Sequence, residues 1–187
     1  MSSADGALRG KGVAMVEPSS VIVAGVSAAV VMLGVGVLCP TASASASCGP
    51  EALSLSTSAP GSPGDATQIH FDLIFTNVSA QPCELNGYPD VDLVGPDDPQ
   101  WGPDYQLPQQ AGDPQPVLLA PGAAAASRLT FLADPSGWVP DTIAVTLPDA
   151  PGRIETPWIA GGVPLSRQDA ASHPGTYIGP LQAAPTQ

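Results

Sequence analysis

Five carboxylates fall close together in the chain: Asp90, Asp92, Asp97, Asp98 and Asp104. Calcium takes oxygen ligands at short spacing, and glycoside hydrolysis uses two carboxylates facing across a cleft. No D-x-D-x-D-G loop is present, and an acidic chain gathers carboxylates by composition alone. His70 stands two residues before Asp72, which would suit the His-Asp half of a hydrolytic triad. No G-x-S-x-G or comparable nucleophile turn accompanies it, so a solvated or cross-strand pair is the simpler reading. The other histidine, His173, precedes Pro174 in a loop. Zinc needs three or four ligands, and these two histidines are not at ligand spacing. A Walker loop and a dinucleotide fingerprint are both lacking. Asn77-Val78-Ser79 matches a glycosylation sequon and serves equally well as turn chemistry. The expectation is no catalytic residue, no metal and no cofactor.

Aromatic residues in loops are the remaining chemistry. Trp101 and Tyr105 lie in the segment Gly95–Pro116, and Trp138 lies in a Pro-Ser-Gly-Trp turn. Aromatics on loops are enriched at interfaces, so these three are the candidate interaction residues.

The elements that must position them read as strands. "TQIHFDLIFTN" alternates, with Ile69, Phe71, Leu73 and Phe75 on one face, the mark of a half-buried antiparallel strand. Burying those four side chains contributes about 6–12 kcal/mol before entropy. Shorter candidates carry Leu53 and Leu55, Val91 and Leu93, Leu129 and Phe131, and Ile143, Val145 and Leu147. "PVLLA" runs into Pro121-Gly122, which suits a type II turn. "TYIGPL" reads as a last edge strand limited by Pro180. No long segment shows a 3.6-residue period with caps. The reading is an all-β, antiparallel β-sandwich. Gly95–Pro116 and Asp149–Gly175 read as long surface segments, the second anchored by Ile154, Trp158 and Ile159.

The start of the chain is different. Arg9 and Lys11 precede an uncharged apolar run, Val21–Cys39, and Ala44-Ser45-Ala46 ends the small-residue stretch after it. That order reads as an export signal at 1–46, cleaved before Ser47. The run is also long enough for an uncleaved membrane anchor. Neither Cys39 nor Cys48 has the flanking residues of a lipid-modified cysteine. Residues 47–182 then form one domain of about 140 residues, and 183–187 a disordered tail.

Removing 1–46 takes away Asp5, Glu17, Arg9 and Lys11, so the net charge of −12 is unchanged. Nucleic acid and anionic membrane would be repelled. Membrane association is expected only if the N-terminal segment stays uncleaved. Two cysteines remain, Cys48 and Cys83. In an oxidising compartment they allow one intramolecular pairing, which contributes about 3.8 kcal/mol in the chain-entropy treatment.

"LIFTNVSAQPCELNGYPDVDLV" followed by "LLAPGAAAASRLTF" resembles the secreted and lipoprotein domains of actinobacteria grouped as domain of unknown function 4232. The resemblance rests on Phe75-Thr76-Asn77-Val78-Ser79, on Cys83-Glu84-Leu85-Asn86-Gly87-Tyr88-Pro89 and on Leu119-Ala120-Pro121-Gly122, with Cys48 as the early cysteine. It covers about residues 48–147. It implies an immunoglobulin-like β-sandwich, secreted or in the cell envelope, and it implies no activity. The expected function is that of a non-enzymatic exported module, binding an unidentified protein, peptide or envelope component, or serving a structural role. The alternative is a secreted hydrolase or metal-dependent enzyme using the loop carboxylates.

Overall fold

The longest alternating run in the sequence forms the centre of the first sheet. Gln68–Asn77 is strand β2, and it buries Ile69, Phe71, Leu73 and Phe75 on one face, as its period of two requires. The computed structural model describes residues 45–61, 68–159 and 162–184. The export segment read at 1–46 lies outside the described residues except for Ser45 and Ala46. Among the described residues no helix is long and apolar enough to cross a membrane.

The other strands follow in chain order. β1 is Leu53–Thr57, β3 Cys83–Leu85, β4 Asp90–Asp98, β5 Gly102–Gln106 and β6 Val117–Leu119. β7 is Ala124–Trp138, β8 Thr142–Thr146, β9 Arg153–Pro157, β10 Tyr177–Ile178 and β11 Gln182–Ala183. One sheet has the order β1-β2-β7-β10, with β11 also pairing β7. The other has the order β5-β4-β8-β9, and β3 pairs β6 in a small third ladder. Every pair between named strands is antiparallel.

The inward faces of the two larger sheets share one apolar core. Phe71, Leu73, Leu129 and Phe131 come from the first sheet, and Val91, Leu93, Ile143 and Val145 from the second. Phe71, Phe131 and Trp158 meet edge to face, with ring centroids 5.2–6.2 Å apart, the geometry that aromatic quadrupoles favour. Trp158 and Ile159 are buried, as their reading as anchors requires.

The disulfide Cys48–Cys83 is formed, with Cα atoms 4.9 Å apart and both residues buried. Ser47 bridges Glu84 in parallel, and the Cys48 amide donates to the Glu84 carbonyl at 3.0 Å. The crosslink therefore joins the start of the domain to β3. Gly122 takes φ +80° after Pro121, as the expected turn requires.

Three segments differ from the sequence reading. Gly95–Pro116 is not a structureless loop, because β4 continues to Asp98 and turns back as β5. The pairing slips between Val94 and Asp98, an irregularity that absorbs Pro96, which has no N–H to give a ladder, with Gly95 beside it. β9 arises inside the segment read as surface, where Ile154 and Thr156 are half-buried between exposed neighbours. The pairing also runs beyond residue 182. Ala183 opposes Ala125, and the Ala184 amide donates to Ala124.

Candidate functional site

Trp101 sits at the tip of the β4–β5 hairpin. The Asp98 carboxylate accepts the backbone amides of Gln100 and Trp101 at 2.8 and 2.9 Å, an Asx-type closure of the turn. The far end of β7 supplies the facing wall. Among the described residues its pairing with β2 runs to Leu132, and Ala133 and Trp138 both bridge Leu165. Residues 134–137 bow outward between those two bridges. Asp134 accepts the Ser136 amide and hydroxyl at 2.9 and 2.8 Å, and these bonds, the hydroxyl's first, hold its carboxyl below the ordinary aspartate value. Gly137 passes so close to the Leu165 carbonyl that no Cβ fits. Gly95 plays the same part across the way, since a Cβ there would stand 2.8 Å from the Trp138 ring.

Arg167 ties the two walls together. Its side chain is only 4% exposed. It donates to the carbonyls of Gly102 and Asp104, both at 2.6 Å, and more weakly to Trp101 at 3.3 Å. Its Nη2, which also serves the carbonyls of Asp104 and Trp101, and its Nε grip Asp169 bidentately at 2.7 and 3.1 Å. The guanidinium lies 4.9 Å from the Trp138 ring centroid and 5.4 Å from that of Tyr105, within cation–π range. Trp138 is further fixed by donation from its indole N–H to the Pro96 carbonyl at 2.8 Å. Between the walls lies an open groove of about 420 Å³, bordered by Asp97, Asp98, Trp101, Asp134, Trp138 and Arg167.

Two of the three predicted interaction residues thus border one groove. Trp101 is 40% exposed, and Trp138 is half-buried. Tyr105 is a correction: it is 1% exposed. Its position in β5 opposite Leu93 turns the ring into the core. Its hydroxyl is the one buried side-chain polar atom among the described residues without a well-formed hydrogen bond. Burial pushes that phenol above its ordinary value, and Asp169 adds to the rise. The Gln168 backbone, the Thr176 hydroxyl and Arg167 pull the other way.

Sequence reasoning missed Arg167 and Asp134. The Arg167-x-Asp169 spacing announces a local ion pair, but the carbonyls that hold the guanidinium lie more than sixty positions away. The carboxylates of β4 do not converge. Asp92 approaches Arg153 at 3.9 Å, and Gln109 donates to Asp90 at 3.4 Å. Among the described residues no three of His, Cys, Asp and Glu come together as a metal cage. His70 and Asp72 do not pair with each other. His70 meets the Thr130 hydroxyl at 2.9 Å, and Asp72 accepts from Arg128 at 3.0 Å. His173 is exposed beside Ser172. The sequon asparagine, Asn77, is buried. Its amide nitrogen donates to Gln81 and Leu119, and its carbonyl oxygen accepts from Ser79, so it is turn chemistry.

No curated protein and no solved structure matches this chain. A family model does match it, over residues 48–177, past the stretch of resemblance that ends near residue 147 and through the groove's residues on the β4–β5 hairpin, β7 and the 165–167 segment. The chain belongs to the family described as Domain of unknown function (DUF4232).

Proposed function

We propose that this protein is an exported, non-catalytic β-sandwich module that binds a partner outside the cytoplasm through the groove beside Trp101. The observation that carries the reading is the exposed indole of Trp101 on a hairpin held rigid from behind by buried Arg167. Rigid elements presenting an exposed aromatic are the usual make-up of a binding surface. The Cys48–Cys83 bond is compatible with an oxidising compartment, and the export signal at 1–46 belongs to the same reading. An actinobacterial origin and an immunoglobulin-like topology are part of it too. The order β1-β2-β7 facing β5-β4-β8-β9 supports the latter.

The test is binding to the envelope fraction of the source cells. Labelled protein is expected to bind saturably, and Trp101→Ala to remove the saturable part. Equal and unsaturable binding by both forms overturns the proposal.

A further inference from the structure

We propose that the groove receives an arginine side chain from an extended basic peptide, with the guanidinium stacked against Trp101 and met by the carboxylates of Asp97, Asp98 and Asp134. This rests on the binding reading above and names its ligand.

Charge is the first observation. Every arginine among the described residues is already paired: Arg128 with Asp72, Arg153 with Asp92 and Glu155, and Arg167 with Asp169. The chain's lysine, Lys11, lies outside them. The three groove carboxylates therefore have no cation of their own, and Arg167 at the groove's floor is matched by Asp169.

The second observation is Trp101. Among the described residues it is the one exposed aromatic of the large apolar side chains, the others exposed being Val78 and Leu118. A structural role would have buried it, as it did Trp158. An indole face in a negative groove is a cation receptor.

The third observation is internal. Arg167 already lays a guanidinium against Trp138 and satisfies it with carbonyls and a carboxylate. The same walls thus carry the chemistry for this group once.

Two other cations fit less well. Calcium needs about six or more converging oxygens, and the carboxylates do not converge as a cage. A lone ammonium ion would leave most of a 420 Å³ groove to water, whereas an arginine with its stem and neighbouring backbone occupies it. Arginine is preferred over lysine because a planar guanidinium both stacks and forks to a carboxylate.

The test titrates the isolated protein with four probes: a short Gly-Arg repeat peptide, its Gly-Lys counterpart, spermidine and calcium chloride. The readout is the set of indole N–H signals in nitrogen-15 spectra, with Trp101 assigned by Trp101→Phe. The arginine peptide is expected to move the Trp101 signal saturably. Trp101→Ala, which keeps every carboxylate, is expected to bind it about tenfold more weakly, and Asp97→Asn to weaken it too. Both sites are exposed, so both variants are expected to fold, as near-ultraviolet circular dichroism would verify. Equal affinity of wild type and Trp101→Ala reduces the effect to general surface charge and overturns the proposal. So does a preference for lysine, spermidine or calcium. If the arginine peptide fails while saturable envelope binding persists and depends on Trp101, the ligand assignment falls and the binding reading stands. Loss of both refutes both.

Discussion

Arg167 and Tyr105 show how a buried charge and a buried hydroxyl differ in what their removal costs. The guanidinium is nearly enclosed and holds three carbonyls and a carboxylate. Arg167→Met is expected to cost about 2–4 kcal/mol, because it strands those acceptors. Urea denaturation checks this, together with a weakened near-ultraviolet signal from Trp138. Tyr105 is the reverse case, since its hydroxyl lacks a well-formed partner. Tyr105→Phe keeps the ring under Arg167 and removes only the unsatisfied atom, so its stability change at neutral pH is expected to stay within about 1 kcal/mol. Its effect belongs at high pH. The folded state holds the phenol proton to higher pH than the unfolded chain does, chiefly through burial. That contribution is whole below the unfolded value of about 10 and is lost as pH climbs toward the folded one. Stability measured from pH 9 to 11 is expected to fall less steeply in Tyr105→Phe than in wild type. An unchanged slope would show that burial of this phenol does not shape the alkaline limb. The β4 carboxylates carry a residue-scale expectation too. Because they do not converge, EDTA is expected to move Tm by less than about 1 °C, and a loss of several degrees would revive the metal-dependent alternative.

At the scale of elements, the Cys48–Cys83 bond and the hairpin that bears Trp101 do different work. The crosslink closes a loop with a sequence separation of 35 and secures the chain against β3. Replacing both cysteines by serine is expected to lower stability by about 3–4 kcal/mol, read from the denaturant midpoint of the oxidised and mutant proteins. Non-reducing mass spectrometry is expected to find the two residues linked, and free thiols would contradict the bond. The hairpin depends on close approach instead. Gly95 has the Trp138 ring and the Pro140 Cα within 2.9 Å of where a Cβ would stand. Gly95→Ala is expected to cost about 1–3 kcal/mol through overpacking and to shift the fluorescence of Trp138.

For the whole molecule, the lasting fact is an acidic two-sheet body whose described arginines are already committed. Its net charge is −12, so association with a basic partner is expected to weaken with salt as surface pairs are screened. A salt series of the arginine-peptide affinity checks this. The export reading adds that the mature protein begins at Ser47, which N-terminal sequencing tests. An intact start in the membrane fraction would favour the anchor.

Taken alone, the sequence determined the elements whose signals are local. The alternation of Ile69, Phe71, Leu73 and Phe75 marks β2 because a pleat sends successive side chains to opposite faces. Pro121-Gly122 marks its turn because φ is set by the residues themselves. Cys48 and Cys83, the two cysteines of the matched domain, have one way to pair with each other. Tertiary structure alone decided the rest. β5 and β9 form because β4 and β8 offer edges to them, which no propensity of their own announces. Tyr105 is buried because its register opposite Leu93 turns it inward, whereas Trp101 stands exposed at the hairpin tip, and residue type decides neither. The groove exists because Arg167 reaches carbonyls far away in the chain, and a hydrogen bond to a distant backbone leaves no mark on the residues that accept it.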